Sequence, residues 1–356
     1  QSGSMDSPSG IGSSKRIEVL RFSSNIMVDV LHENNGLGIV SFDHDPHDVL
    51  SFRGPVGPPP SPSSPFDLNR TDMKSAINNF EANPTGLTAI GDGIERALMR
   101  LSPVSGYDSK SVIVFTDGKE TAEKYISDVA DQIYDRMFAI GLGKAENINP
   151  AALNEVVNAN GGYMLLADNL GMDSIFKLAK YFLQIQAAIN NEDIVVDPDG
   201  TPYPGQVLRI PFVMNEADIT ADVITMFPNP AMVAFYLETP NGQIIKPDDH
   251  LTVPGVQFCV GSHVLFYRLN LPLPLNVPER EGKWNAILSH RGKNYGNTLG
   301  MEDFANVAIA RTIDLNTIPY SLLVHSYSNL HMYTTVSQSH YEPGAMINLS
   351  IRFSQY

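Results

Sequence analysis

The stretch that decides the fold is Ser111-Val112-Ile113-Val114-Phe115-Thr116-Asp117-Gly118. Its apolar residues follow one another instead of alternating with polar ones, which is typical of a strand buried on both faces of a parallel sheet. The run ends at Asp117-Gly118, a pair that favours a turn. We therefore predict a parallel strand that delivers a carboxylate to its carboxyl end.

Around this strand, short apolar runs alternate with amphipathic stretches through the first half of the chain. The predicted strands are 37–42, 111–116, 137–142 and 163–166, and the predicted helices include 72–80, 150–159 and 170–189. This alternation is typical of an α/β doubly wound, mostly parallel, Rossmann-like sheet. We assign residues 1–189 to that domain.

The sequence pattern changes near Asn190, where short runs of alternating apolar and polar residues begin, divided by Pro, Gly, Asn and Asp. The predicted strands are 207–213, 221–226, 232–238, 264–271, 282–288, 307–313, 321–326, 332–338 and 345–353. Such a pattern predicts an all-β antiparallel sandwich over residues 190–356. A further β module is an alternative from about residue 318.

Composition excludes several classes of partner. The 356 residues carry 24 Lys plus Arg against 39 Asp plus Glu, a net charge of −15, without a basic stripe. We therefore expect neither nucleic acid nor an anionic membrane surface as a partner. No apolar run approaches the roughly 18 residues that cross a bilayer, so this segment is not expected to insert into a membrane. The single cysteine excludes an internal disulfide, and the 18% charged residues favour an extracellular or cell-surface protein.

Hydroxyl and carboxylate side chains stand where strands give way to helices. Ser2-Gly3-Ser4 precedes the first helix, Thr88 precedes another, and Asp117 closes the apolar strand. Because ligands bind at the carboxyl ends of strands in an open parallel sheet, these side chains are expected on one rim. Hard divalent cations such as Mg²⁺ take oxygen ligands and keep waters, which leaves a position for an outside carboxylate. Helix capping by the serines and a plain turn at Asp117 are the alternatives.

The same three segments resemble the metal-ion-dependent adhesion site of von Willebrand factor type A domains. The resemblance rests on Ser2-Gly3-Ser4-Met5, Thr85-Gly86-Leu87-Thr88 and Val114-Phe115-Thr116-Asp117-Gly118 in this order. It covers about residues 1–189 and implies the type A fold. It also implies a non-enzymatic adhesion or protein-binding function that depends on a divalent metal.

The resemblance further implies a ligand set. Ser2 and Ser4 would bind the metal directly, Thr88 would be a direct or near ligand, and Asp117 would act directly or through water. Mg²⁺, with Mn²⁺ or Ca²⁺ as alternatives, would be completed by an Asp or Glu of a partner protein.

The family pattern also predicts residues before Gln1. Its first segment reads Asp-x-Ser-x-Ser, and that aspartate, with the apolar strand that carries it, would precede Gln1. A domain without this central strand would expose two strand edges and much apolar surface. We therefore expect this chain to be part of a longer polypeptide.

The second half resembles, more weakly, the β module that follows the type A domain in calcium-activated chloride channel regulators and bacterial secreted relatives. This resemblance rests on residues 232–243, with a turn at Pro240-Asn241-Gly242, and on Gly282-Lys283-Trp284-Asn285-Ala286. Two alternative functions follow. The chain could be the interaction module of a larger self-cleaving protein or of another enzyme complex, such as one that inserts metals at the expense of ATP. It could also be an extracellular scaffold whose metal site is empty. No His-Glu-x-x-His motif is present, so the protease of the channel regulators is not expected here.

Three other features favour structural roles. Asp92 in Gly91-Asp92-Gly93 is expected to start a helix rather than bind metal. The set Asp43-His44-Asp45-Pro46-His47-Asp48 is expected to be a solvated loop. Cys259 has no basic or histidine neighbour in sequence and is expected to be a half-buried strand thiol.

Overall fold

The apolar run at 112–116 forms a strand, as predicted, at one edge of a three-stranded parallel sheet. The computed structural model describes residues 3–61, 67–80, 86–134, 136–143, 147–157, 164–167, 175–203, 205–275, 280–290, 318–340 and 343–355. The helices are α1 (Arg16–Val30), α2 (Leu68–Asn79), α3 (Ile90–Leu101), α4 (Pro150–Val157) and α5 (Lys177–Ile189). The strands of this half are β1 (Leu37–Phe42), β2 (Pro46–Arg53), β3 (Val112–Thr116), β4 (Met137–Leu142) and β5 (Met164–Ala167).

The parallel sheet has the order β3-β4-β5. Val114 lies opposite Ala139, and Ile140 lies opposite Leu165. All six residues of β4 are buried, which explains their continuous apolar character. Because the three strands run the same way, the residues that follow β3 and β4 meet at one edge of the sheet.

The hairpin of β1 and β2 forms a separate two-stranded antiparallel sheet. Within the described residues, β3 pairs with β4 alone and β1 pairs with β2 alone. Phe42 of β1 and Val114 of β3 nevertheless pack in one apolar cluster with Ile94 of α3. The strand expected before Gln1 stays a prediction.

Two elements of this half differ from the sequence predictions. Helix α2 begins at Leu68 rather than near Asp72, because the Asp67 side chain accepts hydrogen bonds from the backbone N–H groups of Asn69 and Arg70. The predicted loop at 43–48 is wrong in its second half, since β2 begins at Pro46. Of the predicted helix 170–189, residues 177–189 are helical and 170–174 lie outside the described residues.

Within the described residues, the second half contains β strands and two short 3-10 helices but no α-helix after α5, as predicted. Its strands are β6 (Asp193–Val196), β7 (Asp199–Gly200), β8 (Val207–Met214), β9 (Asp218–Met226), β10 (Val233–Glu238), β11 (Ile244–Ile245), β12 (Val256–Val260), β13 (Val264–Asn270), β14 (Gly282–His290), β15 (Tyr320–Ser328), β16 (Leu330–Gln338) and β17 (Ile347–Gln355). One antiparallel sheet has the order β11-β10-β14-β8. The other has the order β12-β13-β9-β15-β6, and β7 also pairs with β15. The predicted strand 307–313 lies outside the described residues.

Residues of both sheets contribute to one apolar core. Trp284 of β14 is fully buried there, its ring stacks on Phe212 with centroids 6.3 Å apart, and its Nε1–H donates to the Arg280 carbonyl at 3.0 Å. The Tyr267 hydroxyl donates to the Phe235 carbonyl at 3.0 Å. Both aromatic residues thus bury their apolar rings and satisfy their polar atoms, which fixes one arrangement of the core.

Four strands of the second half, β6, β7, β11 and β12, lie outside the predicted strand ranges. β12 contains Cys259, which is 1% exposed and therefore fully buried rather than half-buried as expected. The last two strands, β16 and β17, form a two-stranded sheet of their own.

The chain divides into two compact units. One comprises residues 1–59, 66–185 and 338–346, and the other comprises residues 60–65, 186–337 and 347–356. The predicted domain boundaries, 1–189 and 190–356, stay a prediction. None of the described helices has the length and apolar character needed to cross a membrane.

Candidate metal site

Asp117 lies directly after β3 and is 2% exposed. The turn that holds it is closed locally, because the Thr116 hydroxyl donates to the Gly118 carbonyl at 3.1 Å and accepts from the Gly118 N–H at 3.3 Å. Gly143, after the neighbouring strand β4, has φ 135°, and a Cβ there would lie 3.8 Å from the Asp117 carbonyl oxygen. The ends of the two parallel strands therefore meet at Asp117.

Thr88 is brought to the segment that follows Asp117. Its N–H donates to the Thr121 hydroxyl at 2.8 Å, and its carbonyl accepts from the N–H of Thr121 at 2.9 Å. Thr88 is 4% exposed. Two hydrogen bonds in opposite directions thus fix the Thr88 backbone to residue 121, four positions beyond the buried carboxylate.

The amino-terminal segment folds back on the start of α1. Ser4 belongs to a 3-10 helix, Gly3–Asp6, whereas Ser2 lies outside the described residues. The Arg16 N–H donates to the Ser7 carbonyl at 3.1 Å, and Pro8 forms an isolated antiparallel bridge with Lys15. The segment that carries Ser4 is therefore tied through Ser7 to the first residue of α1.

Arg16 connects this start of α1 with Asp117. Its Nη1 lies 3.0 Å from Asp117 Oδ2 and 3.5 Å from the Asp117 carbonyl oxygen. The Arg16 side chain is 15% exposed and that of Asp117 is 1% exposed. A buried carboxylate is costly without a nearby positive charge, so the guanidinium stabilises it. The two residues lie 101 positions apart in the sequence, and no local pattern could have revealed the pair.

Glu120 was also missed by the sequence reasoning. Burial, with a smaller contribution from the nearby carboxylates of Glu155 and Asp128, raises the pKa of Glu120 to about 7. Its Oε1 accepts a hydrogen bond from the Ile126 N–H at 2.7 Å, which opposes the rise. Glu120, three residues after Asp117, is thus a carboxyl group that titrates near neutral pH.

Asp92 has the structural position expected of it, in the first turn of α3. The Lys124 N–H donates to its Oδ2 at 3.3 Å. The glycine before it is required by close packing, because a Cβ at Gly91 would lie 2.2 Å from the Tyr125 carbonyl oxygen. The small residues after Thr88 therefore let α3 begin against the segment 124–125.

The acidic turn between β1 and β2 lies beside the Thr88 segment. The Asp43 carbonyl accepts from the Ala89 N–H at 2.8 Å, and Asp43 Oδ1 lies 3.3 Å from His47 Nε2. Asp48 belongs to β2 and binds the guanidinium groups of Arg100 and Arg96, whose hydrogen bonds hold its pKa well below the usual range. Among the described residues, no three His, Cys, Asp or Glu side chains gather into a metal cluster.

The described donors fit a hard divalent cation in kind. Thr88, just before α3, offers a hydroxyl oxygen, and Asp117, just after β3, offers a carboxylate, and both residues are buried. These are the oxygen ligands that Mg²⁺ and Mn²⁺ accept. The guanidinium of Arg16 already contacts that carboxylate, so the site carries a positive charge of its own.

The von Willebrand factor type A family model matches residues 1–177. Residues 1–177 form a von Willebrand factor type A domain. Domains of this family mediate protein–protein interactions and are generally interaction modules rather than enzymes. In this domain the parallel sheet carries Asp117 at the end of β3, and Thr88 lies just before α3.

Several solved structures are similar to the chain at low identity. A von Willebrand factor type A protein from Catenulispora acidiphila is 14% identical, with a TM-score of 0.41, over 99% of this chain and 64% of that one. Proximal thread matrix protein 1 from the mussel byssus, with a zinc-occupied MIDAS motif, is 16% identical, with a TM-score of 0.34, over 55% of this chain and 47% of that one. The pilus adhesin SpaC from Lactobacillus rhamnosus GG is 10% identical, with a TM-score of 0.37, over 96% of this chain and 48% of that one.

The chain thus spans between about half and two thirds of the length of these proteins. No curated protein matches the sequence. The resemblance of the second half to channel regulators stays a prediction.

Proposed function

We propose that the type A domain is a non-enzymatic module that binds a partner protein through a divalent cation. Ser2, Ser4, Thr88 and Asp117 would hold Mg²⁺, with Mn²⁺ or Ca²⁺ as alternatives. The observation that carries the proposal is the burial of Thr88 and Asp117 on segments that hydrogen bonds fix to each other.

The charges of these donors favour an acidic partner. Three of the four side chains are hydroxyls, which donate lone pairs without adding negative charge. When bound, the cation would supply a positive charge that these donors compensate only in part. The chain's own part is to hold buried oxygens in place and to exclude water from them, so that an Asp or Glu carboxylate of the partner is the strongest available ligand.

The remaining parts of the chain have supporting roles in this proposal. The sandwich would act as a spacer or as a second contact surface, and the protein would work outside the cell or at its surface. Type A homologues include secreted and surface adhesins, which is compatible with that location.

Calorimetric titration of Mg²⁺ and of Mn²⁺ into the intact protein tests the proposal. We expect saturable binding that falls at least about tenfold in Thr88→Ala and is lost in Asp117→Ala, because losing even an outer partner of a metal ligand typically costs about 10- to 100-fold in affinity. The matched control is Asp108→Ala, which removes one exposed carboxylate from the same unit. Absence of binding, or equal binding by Asp117→Ala and the parent protein, would sink the proposal.

A further inference from the structure

Arg16 and a divalent cation require the same carboxylate. The guanidinium lies 3.0 Å from Asp117 Oδ2, and the Asp117 side chain is 1% exposed. Arginine carries donors only and keeps its charge at any accessible pH, so it cannot act as a metal ligand. A cation bound to Asp117 would therefore meet a permanent positive charge a few ångströms away as long as Arg16 stays in place.

We propose that Arg16 is a built-in competitor that sets the cation affinity of the site. Without a cation, the guanidinium neutralises Asp117. A cation that binds Asp117 breaks this ion pair and turns the guanidinium toward solvent. This inference rests on the proposed function, because it requires Asp117 to be a ligand.

The surroundings of Arg16 allow its side chain to move while its backbone stays in place. Its N–H is bound to the Ser7 carbonyl at 3.1 Å, and the residue starts helix α1. The side chain is 15% exposed, so one side of it already faces water. An arginine released from Asp117 can therefore hydrate its guanidinium without unfolding the helix.

Competition lowers the apparent affinity by the fraction of molecules in which the carboxylate is released. A charge-assisted hydrogen-bonded pair of this kind keeps that fraction at about 1–10%. Arg16→Gln removes the positive charge and retains a polar, though shorter, side chain. We expect it to bind Mg²⁺ about 10- to 100-fold more tightly than the parent protein.

Stability provides a second readout that a purely structural arginine would not reproduce. When a chelator keeps the site free of metal, Arg16→Gln leaves the buried carboxylate without its guanidinium, and the Tm of the variant is expected to fall below that of the parent protein. Saturating Mg²⁺ supplies the missing charge and is expected to restore most of that loss. If Arg16 only supported the fold, Mg²⁺ would leave the deficit unchanged.

The experiment measures the Mg²⁺ Kd by calorimetry and the Tm with and without Mg²⁺ for the intact protein, Arg16→Gln, Arg16→Lys and Lys15→Gln. Lys15→Gln is the matched control, because it removes the same charge one residue away, where the ammonium pairs at 2.5 Å with the exposed Asp6. Arg16→Lys, which keeps the charge and loses the planar fork, is expected to change the Kd by only a few fold. If Arg16→Gln does not fold, Arg16→Lys still tests the inference, because the Mg²⁺ affinity of Arg16→Lys is then expected to exceed that of the parent protein.

The outcomes separate the two hypotheses. Tighter binding by Arg16→Gln, with Kd unchanged in Lys15→Gln, supports the inference. Equal or weaker binding by Arg16→Gln overturns it and leaves the proposed function intact. No binding by either the parent protein or the variants overturns the proposed function, and this inference with it.

Discussion

Glu120 makes the stability of the type A domain depend on pH. Its folded-state pKa of about 7 lies above the value of 4.5 for a free glutamate, so the native state favours the protonated form. The stabilising contribution of the proton is complete below about pH 4.5 and is lost as the pH rises through about 7. Above that range the native state holds an ionised carboxylate in a site that disfavours it.

The size of the effect follows from the two pKa values. At 1.36 kcal/mol per pH unit, the interval from 4.5 to about 7 corresponds to about 3 kcal/mol. Glu120 is only partly buried, and water screens part of this energy, so we reduce the figure to about 1–2 kcal/mol. Glu120→Gln keeps an oxygen that can accept from the Ile126 N–H and removes the titration. We therefore expect the variant to exceed the parent protein by about 1–2 kcal/mol at pH 8 and to match it near pH 4.

Urea unfolding at pH values from 4 to 8 measures this difference. Far-ultraviolet circular dichroism follows the type A domain, because the described α-helices lie there apart from the last turn of α5, whereas the fluorescence of the single tryptophan, Trp284, follows the sandwich. Glu33→Gln is the matched control, since Glu33 is an exposed glutamate of the same unit. A stability difference that does not grow with pH, or one that the control shares, would refute the assignment of the raised pKa to Glu120.

Two further substitutions test the two cores separately. Arg70→Met should destabilise the type A domain by about 2–4 kcal/mol in the dichroism transition, because the buried guanidinium donates to the carbonyls of Val28 and Leu31 at the end of α1, at 2.6 and 2.7 Å, and methionine leaves both without this donor. Phe235→Ala should destabilise the sandwich by about 3–5 kcal/mol in the Trp284 transition, because the ring is 1% exposed and its removal leaves a cavity. If Arg70→Met shifted the Trp284 transition, or Phe235→Ala shifted the dichroism transition, the assignment of each residue to a separate core would be wrong.

The sequence predicted the elements whose signal is local. β4 has the predicted bounds, Met137–Leu142, because the sequence of a strand buried on both faces is an unbroken apolar run. Turn residues between short alternating runs likewise predicted most of the sandwich. The candidate metal ligands were also predicted from short local motifs, and that assignment stays a prediction.

Other elements carried weak or misleading local signals. β2 was missed because Pro46, His47 and Asp48 are typical of a loop, whereas Asp48 is held on its strand by Arg96 and Arg100 of α3. The late start predicted for α2 has a similar cause, since the Asp67 cap extends the helix beyond its apolar pattern. In both cases hydrogen bonds overrode the residue pattern.

The sequence by itself predicted most of the strands and helices in their order, the change to β structure near residue 190, and the candidate metal ligands. Each of these depends on neighbours within a few positions, where periodicity and turn chemistry act. Only the tertiary structure brought Arg16 against Asp117 and partly buried Glu120 near other carboxylates. Charge pairing and burial depend on distance in space and on exclusion of water, and residues 101 positions apart acquire both only when the chain folds.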